Sequence, residues 1–474
     1  MQRRAFLASL AGAALAAPAA SPKTNFVFIL ADDFGWRDLG CYGNNYISTP
    51  NIDQLASQGA RFTNAYAACP VCSPTRASIL TGKYPVRTGV TDWIPGRQSD
   101  PKGPITTPHT ANELPLAETT LAERLKPAGY RSASIGKWHL GGDGFLPTDQ
   151  GFDVNIGGNQ SGSPPKSAKP YFGPFELPNL KAGPGEFLTA KLTEAAVGFI
   201  EQNKANPFLL YLPHYTVHLP LGAPEDKIAR HREKADGRYN PVYAAMVESL
   251  DDSVGAVLGA IDRAGVAAHT MVVFFSDNGG LAYEGKSKQR VTDNSPLRAG
   301  KGHLYEGGIR EPLIVRYPGV VKPGSMIDTP VSSVDFYPTF CDIAGIAPTA
   351  VDGVSLLPLL HGGDGALKPR PLFWHYPHYS NQGGEPGSAV RDGDWKLIEF
   401  HRDGRRELYR LSVDEGEKVN LIQTRPEIAE KLTAKLAAWK KKSGAIMPSR
   451  NPSADPSWPG FQLTGEERPT PPAK

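Results

Sequence analysis

Short, almost uninterrupted apolar runs alternate with longer amphipathic stretches along much of the chain. Runs at residues 25–30, 207–212 and 271–275 predict strands that are buried on both faces of a parallel sheet. Stretches at residues 189–203 and 240–264 predict helices between them. Because strands that alternate with helices pack in layers, the pattern predicts an α/β fold with a large, mostly parallel sheet flanked by helices.

Two of these apolar runs end at adjacent acidic or amide side chains. Asp32 and Asp33 follow the first run, and Asp277 and Asn278 follow the third. Acidic residues after a strand are often only turn formers, but their repetition at two strands favours a shared site. Open α/β sheets bind ligands at the carboxyl ends of their strands. Three carboxylates and an amide oxygen are hard ligands, so the pattern predicts a Ca²⁺ site, with Mg²⁺ as the alternative ion.

The pattern changes at about residue 370. Short apolar strands separated by Gly, Asp and Arg turns, followed by one amphipathic helix, predict a small antiparallel α+β domain. We therefore divide the chain into an export signal, a catalytic domain, a small C-terminal domain and a Pro-rich arm, at residues 1–20, 24–369, 370–443 and 444–474.

The N-terminus has the features of a targeting segment. Arg3 and Arg4 precede Phe6 and Leu7, and a short apolar run with small residues follows. A basic start, a short apolar region and a small-residue cleavage site predict a cleaved export signal of the bacterial twin-arginine kind. We therefore expect a periplasmic or secreted protein. No later run reaches the ~18 apolar residues of a membrane span.

Composition excludes several classes of protein. The 51 basic and 48 acidic side chains leave a net charge of +3, which gives no sign of nucleic-acid binding. Gly 50 and Pro 44 together make about 20% of 474 residues, below the ~25–30% of low-complexity chains. With 4 cysteines, the chain is also no disulfide-stapled scaffold.

The strongest local motif is the segment from Cys72 to Gly82, Cys-Ser-Pro-Thr-Arg-Ala-Ser-Ile-Leu-Thr-Gly. Pro74 suits the first turn of a helix, which places Cys72 at the helix N-terminus. Free N–H groups and the positive end of the helix dipole suit an oxyanion or a thiolate there. Arg76, one turn later, offers a forked donor to the same anion. The segment predicts a Cys nucleophile that faces a phosphate or a sulfate.

This segment resembles the Cys-x-Pro-Ser/Thr-Arg signature of the type I sulfatases, which belong to the alkaline-phosphatase-like superfamily. The resemblance extends from about residue 25 to residue 421 and includes further motifs in the same order. These motifs are Leu39 to Gly43, Thr49 to Leu55, Gly136 to Gly141, Leu297 to Gly302 and Tyr305 to Pro312.

The resemblance implies a chemical role for each matching residue. Cys72 would be oxidised to formylglycine by a maturation enzyme, and its hydrate would attack the sulfate ester. The metal ligands would be Asp32, Asp33, Asp277, Asn278 and the formylglycine at Cys72.

Five further residues would serve catalysis in this comparison. Arg76 would hold the hydrate, with Lys137 and His139 beside it. His218 and Lys301 would stabilise the sulfuryl oxygens, and one of them would protonate the leaving oxygen. His139 would then take a proton so that sulfate is expelled.

Several alternatives remain open from the sequence. His214 lies close to His218 and could be confused with it. A phosphatase or phosphonate monoester hydrolase on the same fold, or a catalytically silent glycan-binding relative, would share much of the pattern. A two-metal phosphatase needs additional His and Asp ligands that the sequence does not offer, which favours one metal and a sulfate.

The substrate is predicted from the loops around these motifs. Long Gly- and Pro-rich loops at residues 91–110, 159–186, 282–294 and 375–387 bracket the motifs, and such loops on a rigid frame usually determine specificity. Trp93, Arg97, His109 and His375 lie in such loops and could stack on a sugar or hold its carboxylate, although each could equally be a loop anchor. We expect a sulfated carbohydrate as the substrate.

Overall fold

The computed structural model describes residues 22–234, 240–284, 291–458 and 468–469. The predicted export signal at residues 1–20 lies outside these ranges, as do residues 459–467 and 470–474 of the predicted arm. The limits proposed for the domains stay a prediction.

Strands and helices are numbered separately along the chain. The strands are β1 (Asn25–Ala31), β2 (Ala60–Tyr66), β3 (Ile105–Thr106), β4 (Arg131–Ile135), β5 (Val154–Ile156), β6 (Phe175–Leu177), β7 (Leu180–Ala182), β8 (Phe208–Pro213), β9 (Thr270–Ser276), β10 (Tyr283–Glu284), β11 (Arg310–Arg316), β12 (Ser325–Ile327), β13 (Val331–Ser332), β14 (Leu372–Tyr376), β15 (Gly387–Asp392), β16 (Trp395–Phe400), β17 (Arg406–Arg410), β18 (Ser449–Arg450) and β19 (Arg468–Pro469). The helices are α1 (Pro50–Gln58), α2 (Cys72–Thr81), α3 (Pro85–Thr88), α4 (Leu121–Leu125), α5 (Leu188–Asn203), α6 (Glu225–Glu233), α7 (Pro241–Arg263), α8 (Glu306–Ile309), α9 (Phe336–Ile343), α10 (Leu357–Gly362) and α11 (Pro426–Ser443). Within the described ranges, no helix combines the length and the apolar character that crossing a membrane requires.

Nine strands form the central sheet. Their order is β12-β2-β11-β9-β1-β8-β4-β5, with β13 beside β2. β11 runs antiparallel to its two neighbours, β2 and β9, and the other pairs are parallel. The predicted α/β fold with a large, mostly parallel sheet is confirmed.

Both faces of this sheet are covered, as the uninterrupted apolar runs predict. On β1, Val27 and Ile29 pack into a core that includes residues of α1, α5 and α7. Phe26 and Phe28 point to the opposite face, into a core that includes residues of α2, α4, α9 and α10. Successive side chains of a strand alternate between faces, so a strand with helices on both sides must be apolar at every position.

The predicted antiparallel C-terminal sheet is also confirmed, with strand order β14-β15-β16-β17. Leu432 and Leu436 of α11 pack against one face of it. Trp374 on its other face shares a core with Tyr66 and Ile309 of the central sheet region. The C-terminal sheet therefore packs directly against β2 and α8 of the central region.

Candidate active site

The polar residues at the ends of β1 and β9 lie side by side. The two strands are adjacent and parallel, with Ala31 opposite Ser276. The backbone N–H of Asp33 donates to Oδ1 of Asp277 at 3.3 Å, and Nδ2 of Asn278 donates to Oδ1 of Asp33 at 2.9 Å. With Asp32, these side chains are buried. The structure thus brings together the four residues that the sequence predicts as one group.

Each of the three carboxylates in this group faces a basic side chain. Lys137 follows β4, Lys301 lies in the loop before α8, and Arg76 lies on α2. The pairs are Lys137 Nζ with Asp32 Oδ2 at 2.7 Å, Lys301 Nζ with Asp33 Oδ1 at 2.7 Å, and Arg76 Nη2 with Asp277 Oδ2 at 2.6 Å. Taking charges out of water is costly unless they are paired, and this pairing offsets the cost.

The two adjacent aspartates differ in their ionisation. Burial raises the pKa of Asp32 to about 8, against the opposing effect of the Lys137 charge. Burial acts in the same direction on Asp33, but Lys301 and His218 outweigh it and hold the pKa of Asp33 well below its usual value. Asp33 is therefore the more firmly ionised of the pair.

The group has the donor set of a hard cation. Asp32 Oδ1 and Asn278 Oδ1 are buried and accept no hydrogen bond from the described residues. Ligand atoms of Asp32, Asp33 and His218 lie within 4.8 Å of one another. Buried oxygens without a partner are uncommon, and oxygen ligands at this density suit Ca²⁺ or Mg²⁺. The residues present therefore fit a metal site.

Cys72 is the first residue of α2, as its motif predicts, and it faces this group. Its Sγ lies 3.3 Å from Nδ1 of His139. Burial raises the pKa of the Cys72 thiol, although the charges of Lys137 and Lys301 act against the shift. A helix N-terminus favours a thiolate, but the loss of solvation outweighs this effect here. An unmodified Cys72 is therefore a neutral thiol.

The two histidines that follow β8 have different surroundings. Nε2 of His218 lies 3.6 Å from Oδ2 of Asp33, and burial together with Lys301 lowers the pKa of His218 to about 3. His214 is buried behind the site, where its Nε2 lies 3.1 Å from Oγ of Ser253. The structure brings His218, and not His214, to the metal-ligand group.

A cavity of about 1050 Å³ opens over these residues. We call its deeply placed polar side chains the floor; they are Asp33, Cys72, His139, His218 and Lys301. We call its more exposed side chains the rim; they are Trp93, Asn112, Glu113, Gln160, Asn381 and Gln382. A small molecule or the end of a chain can reach the floor through the rim.

Comparison with known proteins decides the family. A family model described as Sulfatase matches residues 24–346, and one described as N-sulphoglucosamine sulphohydrolase, C-terminal, matches residues 299–442. A sulfatase of Formosa agariphila is 35% identical over 90% of this chain and 90% of its own. Human arylsulfatase A is 34% identical over 89% of this chain and 86% of its own. The chain belongs to the sulfatase family.

Solved structures agree with this assignment. The crystal structure of Ps i-CgsB in complex with k-i-k-neocarrahexaose matches the sulfatase with a TM-score of 0.74 and 27% identity, over 91% of this chain and 94% of that chain. The protein is therefore a sulfuric ester hydrolase with an alkaline-phosphatase-like fold.

Of the four residues predicted to bind substrate, one lines the cavity and three do not. Trp93 of the sulfatase lies on the rim. Arg97 does not line the cavity; its guanidinium donates to Oδ1 of Asn381, which does. His109 is exposed and is not among the lining residues. His375 is buried within the C-terminal sheet, where its ring nitrogens contact Ser388 Oγ at 2.8 Å and the carbonyl oxygen of Ile446 at 3.0 Å.

Sequence reasoning did not find most of the rim. Asn112, Glu113, Gln160, Asn381 and Gln382 come from three separate loops and follow no periodic pattern. The sequence predicts the loops but not the side chains. Gln160 lies in the predicted loop at residues 159–186, Asn381 and Gln382 lie in the one at residues 375–387, and Asn112 and Glu113 directly follow the one at residues 91–110.

Proposed function

We propose that this sulfatase releases inorganic sulfate from a sulfated carbohydrate, with Cys72 converted to formylglycine and one Ca²⁺ or Mg²⁺ bound by Asp32, Asp33, Asp277 and Asn278. One observation carries the proposal. The Cys72 side chain begins a helix, faces the cavity and lies between His139 and the buried oxygen donors.

A formylglycine hydrate at residue 72 would offer an oxygen nucleophile, and a bound divalent cation would neutralise charge on the sulfate. The remaining tasks fall to side chains. Lys301 and His218 on the floor bind the sulfuryl oxygens and stabilise the charge that moves to the leaving oxygen. One of the two donates the proton that this oxygen needs, and His218 can do so only as an imidazolium, because its Nδ1 faces the carbonyl oxygen of Leu219 at 2.6 Å.

Two further basic residues hold the site in place. Arg76 donates from Nε and Nη2 to Oδ2 of Asp277, at 2.9 and 2.6 Å, and from Nη1 to the carbonyl oxygen of Lys137 at 2.8 Å. It therefore orients one proposed metal ligand and the backbone of Lys137 together. Lys137 in turn orients Asp32.

A carbohydrate substrate is supported by the cavity and by a structural neighbour. The rim combines an aromatic ring, Trp93, with amide side chains that suit sugar hydroxyls. The structural neighbour Ps i-CgsB was solved in complex with k-i-k-neocarrahexaose. We further propose export to the periplasm or beyond, and a formylglycine-generating enzyme as the maturation partner.

The maturation of Cys72 tests this function. Protein made together with a formylglycine-generating enzyme should carry an aldehyde in the peptide spanning residues 69–76, by mass spectrometry, and should release sulfate. Cys72→Ala should lose both signals, and Cys69→Ala, which removes the neighbouring buried thiol, should keep both. Full turnover by protein that carries only the thiol would contradict the mechanism, and tight glycan binding without turnover would support a silent binding protein instead.

A further inference from the structure

The charges of the cavity are divided between its floor and its rim. On the floor, Lys301 pairs with Asp33. The other polar side chains of the floor are Cys72, His139 and His218. Among the described residues that line the cavity elsewhere, Glu113 is the single ionisable side chain. The other lining residues are amides, hydroxyls, glycines and apolar groups, none of which carries a charge.

Glu113 is free to act on a ligand. It is half-buried, and within the described residues its carboxylate has no hydrogen-bond or ion-pair partner. Its backbone is fixed, because the N–H of the next residue, Leu114, donates to the carbonyl oxygen of Leu140 at 2.9 Å. Gly141 packs so closely against it that a Cβ there would lie 2.9 Å from Cβ of Glu113. The backbone and Cβ of Glu113 are therefore fixed at the rim, and no described side chain neutralises its carboxylate.

Arg97 is a cation close to this rim, but it is already engaged. Its guanidinium donates to Asn381 and does not itself line the cavity. A second anionic group on a substrate would thus meet Glu113 without a lining cation of the described rim to offset it.

We infer that Glu113 makes this sulfatase selective for sugars that carry a single sulfate on an otherwise uncharged ring. The inference rests on the proposed function, since it takes the floor to be the sulfate site. The one anionic group occupies the floor, and the amides of Asn112, Gln160 and Gln382 meet the hydroxyls. Like charges brought together in a partly desolvated site are strongly disfavoured, so Glu113 rejects a second sulfate or a uronate carboxylate.

Competition against an aryl sulfate tests the inference. Aldehyde-bearing enzyme hydrolyses 4-nitrophenyl sulfate, and the inhibition constants of galactose 2-, 4- and 6-sulfate are compared with those of galactose 2,6- and 4,6-disulfate. We expect the best monosulfate to bind at least about tenfold more tightly than either disulfate, on the scale of one unfavourable charge contact. Glu113→Gln should reduce this ratio towards one, and Glu113→Lys should reverse it.

The matched control is Asp143→Asn. Asp143 is exposed, close in sequence to the lining residue Gly142, and does not line the cavity, so the same loss of charge should leave the ratio unchanged. Equal inhibition by monosulfates and disulfates, a ratio that persists in Glu113→Gln, or no competition by any of these sugars would overturn the inference while aryl sulfate hydrolysis continues. Failure of aldehyde-bearing protein to hydrolyse any sulfate ester would instead overturn the proposed function.

Discussion

The Nδ1 atom of His139 lies 3.3 Å from Sγ of Cys72, and its Nε2 atom lies 2.7 Å from the carbonyl oxygen of Ile94. A carbonyl oxygen only accepts hydrogen bonds, so Nε2 carries the ring proton and donates it to Ile94. Burial, with the nearby charge of Lys137, keeps the pKa of His139 well below its usual value, and the ring is neutral. Nδ1 therefore presents a lone pair to residue 72, where it can accept a proton from a hydroxyl group.

Replacing this base should slow turnover without preventing maturation. We expect His139→Gln to lower kcat by about 10²–10⁴-fold, the usual contribution of a positioned general base. The aldehyde at residue 72 should still appear by mass spectrometry. His269→Gln serves as the control, because His269 precedes β9 at the end of the strand remote from the site. An unchanged kcat in His139→Gln would show that His139 does not move the proton.

A glycine packs against the Nε2 side of the same imidazole and leaves no room for a side chain there. A Cβ built on Gly162 would lie 2.5 Å from Nε2 of His139, closer than atoms can approach without a shift. Gly162→Ala should displace the ring from residue 72 and lower kcat by about 10²-fold, the cost of a ~1 Å misplacement. Gly198→Ala is the matched control, since the nearest atom to its Cβ is 3.8 Å away. Equal kcat values for the two variants would contradict the steric argument.

A divalent cation should stabilise the folded protein as well as activate it. Asp32 Oδ1 and Asn278 Oδ1 lack hydrogen-bond partners among the described residues, so a bound ion satisfies oxygens that are otherwise unpaired. At free Ca²⁺ ~100-fold above its Kd, the free energy of unfolding should rise by about 2.7 kcal/mol relative to protein in EDTA. Urea unfolding with Ca²⁺, with Mg²⁺ and with EDTA measures this difference. Asn278→Ala should reduce it, and identical unfolding curves in all three conditions would argue against the site.

The sequence predicts the floor of the cavity better than its rim, for a physical reason. On the floor, Asp33 follows the buried strand β1 and Cys72 begins α2, where the apolar pattern and the helix start fix their positions. Glu113 lies in a loop, and His375 lies in β14 of a second sheet, so only the folded chain determines which side chains they meet. His375 illustrates the limit: it was predicted near the substrate, but Ser388 and Ile446 occupy both its ring nitrogens inside the C-terminal sheet.

The packing of that sheet depends on one buried ammonium group. Nζ of Lys396 lies 2.8 Å from Oε1 of Glu306 and 2.9 Å from Oε1 of Glu417, and all three side chains are buried. The Lys396 charge lowers the pKa of Glu306 despite burial, whereas burial raises the pKa of Glu417 to about 7. Lys396→Met removes the cation that the two buried carboxyl groups share and leaves Glu306 with the more distant Arg310, at 3.8 Å, so it should lower the free energy of unfolding by about 3–5 kcal/mol.

An exposed ion pair provides the comparison for this variant. Lys181 lies 2.8 Å from Glu176, but both side chains are largely exposed. Exposed pairs contribute little, so Lys181→Met should leave the urea midpoint unchanged. If Lys396→Met behaved in the same way, the buried cluster would not hold the two sheets together.

Buried histidines of the C-terminal sheet should make its stability depend on pH. Oγ of Ser388 lies 2.8 Å from Nδ1 of His375 and 3.0 Å from Nε2 of His401. Burial lowers the pKa of His375 from 6.5 to about 4 and that of His401 to about 3. Between pH 6.5 and pH 4 the unfolded chain therefore binds protons that the folded chain does not, so stability is full above pH 6.5 and falls as the pH drops.

The contribution of one such histidine can be isolated by difference. Between pH 7 and pH 5, His375 alone should account for about 2 kcal/mol of lost stability. Urea unfolding of the Ca²⁺-bound protein at the two pH values should show a smaller loss in His375→Gln than in the unmodified chain, because glutamine does not titrate. His361→Gln, at an exposed position in α10, should not change the loss. The same pH dependence in all three proteins would mean that the pKa of His375 does not change on folding.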